Sequence, residues 1–294
     1  MTDAAMTEIG PGIWRIVAPN PSPMTFHGTN TYLVGQDALA VIDPGPQDAA
    51  HLAAILAAIG GRPLRYVLVT HSHRDHSPLA RALSTATGAP VLAFGASEDG
   101  RSPAMAALAR SGLAGGGEGV DTGFGPDRCL ADGERLAFEG GGIEALWTPG
   151  HMGNHLCFAW GMSLFSGDLV MGWASSMVSP PDGDLAAFRA SLARLRTRGE
   201  QRYFPGHGEP VDTPAARIDW LLAHRAEREA EILAALAKAP RTIADLTAQI
   251  YSSVDPALWP AASRNVLAHL VDLTERRLVQ AEPDLSLAAR FSAI

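Results

Sequence analysis

The chain is poor in cysteine, poorer still in lysine, and has no long apolar run. Its 294 residues hold two cysteines, Cys129 and Cys157, far apart and in no metal-ligand spacing. A thiolate-built zinc site and a disulfide scaffold are thereby excluded, and both thiols are expected to be small buried packing groups in a reducing compartment. Lysine occurs once, at Lys238, so arginine supplies nearly all positive charge. With 31 acidic against 23 basic residues the net charge is −8. That balance suits a polyanionic partner badly, because such affinity comes from basic groups on phosphates. The longest apolar stretches, such as LAAILAAI at 52–59, fall far short of the ~20 residues that cross a bilayer. The opening MTDAAMTEIG is acidic and lacks the basic start and apolar stretch of a secretory signal. A cytoplasmic protein with no membrane partner is expected. At 47% hydrophobic residues, it can bury a sizeable core.

The first part of the chain reads as strands joined by turns. GIWRIVA (12–18), TYLVG (31–35) and LAVIDPG (39–45) are short and apolar, bounded by Gly, Pro, Asn or Asp. An Ala/Leu/Ile helix over 47–59 ends at Gly60 and Gly61. RYVLVT (65–70) is a continuous apolar strand of the kind buried on both faces. A helix over 78–87 and the strand PVLAF (90–94) complete a β-α-β unit. Residues 95–127, with GGGEG at 115–119, read as a long mobile loop, either a lid or a plain insertion.

A second run of strands follows in RLAFE, IEALWTPG, HLCFAW and MSLFSGD. The next helix, 184–197, carries Leu185, Phe188, Leu192 and Leu195 as one apolar stripe, with Asp184 to cap its start and Gly199 to close it. From Pro214 the texture becomes helical. One helix runs to just before Pro240. A second is capped by Thr242 and Asp245, a third covers 260–277, and a hairpin ends the chain. The spacing divides the protein into a domain over 1–213 and a small, mostly helical module over 214–294.

Of ten histidines, three stand with an aspartate in HSHRDH, residues 71–76. His71 and His73 are two apart at a strand end, so their side chains point the same way. Asp75 and His76 follow where the chain turns into a helix and can face a second point close by. This is the sheet edge at which open α/β folds bind ligands. Three later strands end in further donors: LWTPGH in His151, LFSGD in Asp168 and YFPGH in His207. Each follows an apolar run and a glycine that lets the backbone turn sharply. Imidazole and carboxylate without thiolate suit zinc, manganese or iron. Seven such groups are too many for one tetrahedral ion and match two ions sharing one carboxylate.

Other polar residues have weaker contexts. His155, four residues past His151, is a candidate contact to the substrate or leaving group, or else supports the site from behind. His27 and Asn30, in a Pro/Gly loop, are candidate substrate contacts or ordinary turn residues. His51, His224 and His269 have no partner motif and are expected on the surface.

THSHRDH, TPGH (148–151), SGD (166–168) and PGHG (205–208) together, in this order, resemble the metallo-β-lactamase superfamily and its T-H-x-H-x-D-H signature. The resemblance runs from about residue 12 to 211. It implies an α/β fold, an αββα sandwich of two sheets with helices outside, and a site of two zinc ions, manganese or iron being alternatives. By the motif, His71, His73 and His151 hold the first ion, Asp75, His76 and His207 the second, and Asp168 bridges them. The commonest antibiotic-cleaving subclass has cysteine where Asp168 stands, which argues against β-lactam hydrolysis. NPSPMTFHGTNTYLVG (20–35) is similar to the start of the β-lactamase-like protein 2 subfamily. The animal member of that subfamily is an endoribonuclease, and its chains end in a winged-helix-like module.

The resemblance implies that two ions about 3.5–4 Å apart share a water and lower its pKa from 15.7 toward ~7, making a bridging hydroxide the nucleophile. Asp75 is then both ligand and proton acceptor. The substrate stays open between single-stranded RNA, as in the subfamily, and a small ester, thioester or lactone, as in the glyoxalase II branch. A persulfide dioxygenase with one iron is a third reading. Over 211–294 there are nine basic against eleven acidic residues, a poor balance for a nucleic-acid reader. The module suits packing over the active site or a homodimer contact better.

Overall fold

The computed structural model describes residues 6–294; the first five residues of the acidic N-terminus lie outside the described residues. The chain opens with β1 (Thr7–Gly10), β2 (Ile13–Val17), β3 (Asn30–Val34) and β4 (Leu39–Ile42), then α1 (Ala49–Ile59), β5 (Leu64–Leu68), α2 (Ala80–Thr87), β6 (Val91–Ala93), α3 (Pro103–Arg110) and β7 (Arg128–Cys129). Next come β8 (Arg135–Leu136), β9 (Ile143–Trp147), β10 (Leu156–Trp160), β11 (Ser163–Gly167), α4 (Leu185–Arg196) and β12 (Arg202–Pro205). The last part holds α5 (Pro214–Leu236), β13 (Arg241–Thr242), α6 (Ile243–Ile250), α7 (Trp259–Glu275), β14 (Val279–Glu282) and β15 (Arg290–Ala293).

Strands β1 to β7 lie side by side in sequence order in one sheet, and β12-β11-β10-β9-β8 form a second. The two sheets pack face to face. Tyr32, Ile42 and Leu68 of the first meet Phe158, Phe165 and Phe204 of the second in one buried cluster, with the Tyr32 and Phe165 rings 5.2 Å apart. Period-2 alternation sends the other residues outward. Leu39 and Val41 of β4 pack under Ile55, Ile59 and Leu83 of α1 and α2. Cys157 and Leu164 of β10 and β11 pack under Phe188, Leu192, Ile218 and Leu221 of α4 and α5. Both faces of each sheet are covered, which is why the central strands read as unbroken apolar runs. This is the expected αββα sandwich.

The C-terminal part is a small three-stranded sheet, β13-β15-β14, carried by α6 and α7. The expected capping box is present: the Thr242 hydroxyl accepts from the Asp245 amide, and the Asp245 carboxylate accepts from the Thr242 amide. Helix α5 belongs to both cores. Its first half places Ile218 and Leu221 in the sandwich, and its second half places Ile232 and Leu236 against Leu246, Leu270 and Phe291. At ~1.5 Å per residue its 23 residues span about 34 Å, enough to tie one core to the other.

Several expectations are corrected. Residues 95–127 hold a helix, α3, with Ser102 as N-cap and Pro103 at its first position. Met105 and Leu108 are buried with the C-terminal helices, so half of the segment is anchored packing. Helix α4 begins at the Asp184 cap as expected but closes at Thr197, two residues before Gly199. Cys157 is buried, whereas Cys129 is exposed, because β7 is the two-residue edge of its sheet. His51 and His269 are buried, not on the surface; His224 is half-buried.

His51 has a defined role. The Thr31 hydroxyl donates to the Asp43 carbonyl (2.7 Å) and so accepts from His51 Nε2–H (2.8 Å). His51 Nδ1 is left without a partner. A second proton there would have no acceptor, and burial lowers the His51 pKa to about 4. The unfolded chain takes up that proton below ~6.5, while the fold refuses it until about pH 4. The contribution to stability is therefore complete above the unfolded value and is lost as the pH falls, at about 1.4 kcal/mol per pH unit for one proton. Thermal unfolding with excess chelator at pH 8 and pH 5 checks this. His51→Gln, which keeps a donor and cannot titrate, should narrow the difference in Tm between the two pH values. An equal difference in both proteins counts against the assignment.

Candidate metal centre

The donors gather at one edge of the sandwich, where β5, β9, β11 and β12 end. His71, His73 and His151 offer ring nitrogens that lie within 4.8 Å of one another, and so do the ligand atoms of Asp75, His76 and His207. His71, His76 and Asp168 form a third such group, lying between the first two. Residues spread over some 140 positions are thus brought to one point. All seven are buried.

Sharp turns make this possible. Gly206 precedes His207 in the PGHG turn, and a Cβ there would overlap Asp168 Oδ1 and stand 2.6 Å from His76 Cε1. Only glycine lets that turn approach so closely. Asp43, the last residue of LAVIDPG before its Pro-Gly turn, adopts φ 51°, a left-handed conformation that non-glycine residues hold only where surrounding contacts fix them.

Asp43 is the functional residue that the sequence reading missed. Its Oδ1 accepts from the Thr70 amide (2.7 Å), and its Oδ2 accepts from the Thr70 hydroxyl (2.7 Å) and from His76 Nδ1 (2.9 Å). With its proton given to Asp43, the Thr70 hydroxyl accepts from His71 Nδ1–H at 2.9 Å. His151 Nδ1–H donates to the Met177 carbonyl (2.7 Å), and His207 Nδ1–H to the Gly28 carbonyl (3.2 Å). In all four rings Nδ1 is occupied, which fixes the tautomer and leaves Nε2 aimed inward. The signal was available: Asp43 ends an apolar strand as His151, Asp168 and His207 do.

The inward atoms fit cations better than they fit one another. His71 Nε2 and His151 Nε2 each stand 3.0 Å from His73 Nδ1. Ligands at ~2.05 Å on a tetrahedral ion are ~3.3 Å apart, close to that spacing. His76 Nε2 lies 3.2 Å from Asp75 Oδ2 and 3.5 Å from Asp168 Oδ1. His207 Nε2 lies 3.1 Å from Asp75 Oδ2 and 3.3 Å from Asp168 Oδ2. His76 Nε2 and Asp168 Oδ1 are buried without a hydrogen-bond partner, an orphaned pair that an ion would satisfy.

Charge is arranged around the same atoms. Burial alone would raise both carboxyl pKa values, but His76 and His207 outweigh it and hold Asp75 and Asp168 well below the usual range. Burial pulls His76 and His207 down, and the facing carboxylates more than reverse it, lifting His207 to about 10. His73 is pushed down to about 3 by burial and by His151. The cluster therefore has ionised carboxylates and unprotonated imidazoles on the side of His71, His73 and His151, the protonation that metal ligation needs.

The centre opens into a cavity of 310 Å³, whose wall includes His73, Asp75, His151, Asp168 and His207. The rest of the wall is mostly apolar: Met24, Met171, Trp173 and Met177 from the sandwich, and Tyr251, Val254, Leu258 and Ala262 from the C-terminal part. Gly117 and Glu118 also line it, so the far half of the 95–127 segment borders the site. No lysine or arginine does.

Three expected contacts are not on that wall. His155 is fully buried behind His71, its ring 5.2 Å away, with Nδ1 against the Thr148 hydroxyl (3.0 Å). It is not part of the cavity wall, and its Nε2 is left without a hydrogen-bond partner. Asn30 is also buried and donates to the Pro205 and Gly208 carbonyls, both at 2.9 Å; it holds the turn that carries His207. His27 is exposed, its ring 3.8 Å from that of Phe26, and lies off the wall.

Comparison with known proteins follows the same outline. A family model described as the metallo-beta-lactamase superfamily matches residues 24–207, and one described as the beta-lactamase associated winged helix domain matches residues 242–289. The chain is 30% identical over 293 residues to the "Beta-lactamase-like protein 2 homolog" of Drosophila melanogaster, covering 92% of this chain and 90% of the fly protein. It is 26% identical to an "Atrochrysone carboxyl ACP thioesterase" of Aspergillus fumigatus, covering 81% of this chain and 70% of that protein. The solved structure of a metallo-beta-lactamase family protein from Thermus thermophilus is similar with a TM-score of 0.76 at 26% identity, covering 98% of this chain and 100% of that one.

The close approach at Gly206 yields a direct test. Gly206→Ala should leave the sandwich folded and reduce bound metal, measured by elemental analysis after dialysis, because the new methyl displaces Asp168 and His76. Full metal content in that variant would show that the turn tolerates the methyl.

Proposed function

The chain belongs to the metallo-beta-lactamase superfamily, and from that premise we propose that it is a two-ion hydrolase of a small ester, thioester or lactone with an apolar acyl group. The observation that carries the reading is the wall: five of the seven donors line a mostly apolar cavity bordered, among the described residues, by no lysine or arginine. Away from the ion positions, a phosphodiester backbone would bring repeated negative charge against a wall with no lysine or arginine to neutralise it. A neutral acyl group would instead be drawn in by burial. The relative named as a thioesterase supports the same class.

In this reading residues 1–213 are the catalytic domain and 214–294 the winged-helix-like module. His71, His73 and His151 hold one ion, Asp75, His76 and His207 the other, and Asp168 lies between them. The ions are zinc, with manganese or iron as alternatives. When bound, they would lower the pKa of a shared water toward ~7 and polarise the acyl oxygen. Asp75 would orient that water and take its proton at the carboxylate. The Thr29 hydroxyl, 3.2 Å from Asp75 Oδ2, would keep the carboxylate turned toward the cavity. Trp173, Met177 and Tyr251 would exclude bulk water from the acyl group.

An assay of the zinc-loaded protein on thioesters of rising chain length, beside single-stranded RNA, tests the reading. Each buried methylene is worth about 0.8 kcal/mol, so kcat/KM should rise roughly fourfold per carbon until the cavity is full. Leu258→Ala should flatten that rise and spare the acetyl substrate. Asp75→Asn should remove most turnover and leave much of the fold intact. RNA cleavage that disappears in His73→Ala, together with no thioester turnover, would overturn the acyl assignment and leave the two-ion centre standing.

A further inference from the structure

Arg225 of α5 is 1% exposed, and among the described residues it hydrogen-bonds no carboxylate. Its Nη1 donates to Asn265 Oδ1 of α7 at 3.0 Å, and its Nη2 to the Ser176 carbonyl. The Phe188 ring lies under the guanidinium, 5.4 Å from its carbon, a partial compensation. Burial lowers its pKa to about 10. A buried cation without a counter-ion is costly, and an apolar side chain of similar volume fills such a space at less expense. The guanidinium supplies what an apolar chain lacks: a rigid fork of donors that can hold two acceptors at once.

Those two acceptors flank one residue. Asn265 Oδ1 also accepts from the Val178 amide at 3.0 Å, so Arg225 and Asn265 grip the chain on both sides of Met177. The Ser176 hydroxyl, donating to the Leu169 carbonyl at 3.0 Å, adds a third tie. The Met177 carbonyl between them accepts from His151 Nδ1–H at 2.7 Å. This stretch lies between β11 and α4, outside any strand, so no ladder fixes its carbonyls. The other three supported rings lean on Thr70, Asp43 and the Gly28 carbonyl, all within the sandwich. His151 alone leans on a segment gripped from α5 and α7.

We propose that Asn265 and Arg225 are positioning residues for the metal centre, through which the C-terminal helices set the direction and tautomer of His151. The proposal rests on the reading that His151 holds an ion. It makes the C-terminal part a structural component of the centre as well as a wall of its cavity.

The test reads the metal site itself. Arg225→Met, Asn265→Ala and Asn265→Asp are each freed of metal, checked for native circular dichroism, and titrated with cobalt(II) or with zinc against a competing chelator. Arg225→Met and Asn265→Ala should bind one of the two ions 10–100-fold more weakly, the usual effect of losing a partner behind a ligand. The visible spectrum of their cobalt forms should change. Asn265→Asp keeps both acceptor contacts and should restore wild-type affinity and spectrum. Wild-type affinity and spectrum in both Arg225→Met and Asn265→Ala would overturn the proposal. So would a loss in Asn265→Ala that Asn265→Asp, natively folded, does not repair. If either of the first two variants fails to fold, Asn265→Ser takes its place under the same criteria. His151→Ala goes through the same titration. Undiminished binding of two ions by that variant would instead sink the metal reading of the centre.

Discussion

The structure depends on one electrostatic constraint: Asp75 and Asp168 are buried beside five imidazoles, and that charge must be matched. Burying unmatched carboxylates is costly. In the metal-free chain the match comes from protons held on His76 and His207. In the proposed two-ion form, cations do the same work from the same positions. The fold serves this constraint. The donors follow directly on strand ends, so sheet register fixes where each begins, and β11 lies parallel to β12 with Leu164 beside Tyr203. That pairing brings Asp168 and His207 out at the same edge, while β5 delivers His71 from the facing sheet.

The supports behind the rings spread the centre through the molecule. Four imidazoles are oriented by four different segments: Thr70 after β5, Asp43 after β4, Gly28 before β3 and Met177 before α4. Asp43 reaches two of them, directly to His76 and through Thr70 to His71. Asp43 thus couples the two proposed ion positions from outside the donor set. Its left-handed backbone conformation is the kind of local strain that surrounding contacts hold in place.

The donor set was legible because its signal is local. A strand, a turn and a donor within six residues can be read without knowing the fold, and HSHRDH, TPGH, SGD and PGHG each carry that signal. The layers were legible for a similar reason: unbroken apolar strands mean coverage on both faces. What escaped depends on partners distant in sequence. Asn30 could not be told from a substrate contact until its two acceptors, 175 and 178 positions away, were in place. His155 sits next to the centre in sequence yet behind it in space. His51 and His269 lie on helices that look amphipathic in isolation, and their burial is decided by the sheet and by the neighbouring helices. The α3 helix was an avoidable miss, because Ser102 followed by Pro103 is an N-cap with proline at the first helical position.

The C-terminal part is where fold and use diverge. A family model for a winged helix matches 242–289, a fold often associated with nucleic acid, yet residues 211–294 carry nine basic groups against eleven acidic ones. A polyanion gains affinity from counter-ions released by clustered arginine and lysine. Here one of the arginines, Arg225, is buried, and another, Arg264, is spent on the Ser179 hydroxyl and the Ala114 and Pro180 carbonyls. What the part presents to the cavity is mostly apolar, Tyr251, Val254, Leu258, Ala261 and Ala262, with His224 and Asn265 as its polar members. Such a surface lowers the local dielectric around a reacting group, and charge developing on an acyl oxygen is then stabilised more strongly by a nearby cation than it would be in water. A mostly apolar wall favours a neutral electrophile over an anionic one. The helices that line the cavity also grip the segment behind His151. Wall and support are therefore a single piece of architecture, and in the proposed reading a change that loosens one face of α7 would act on both substrate fit and the geometry of His151.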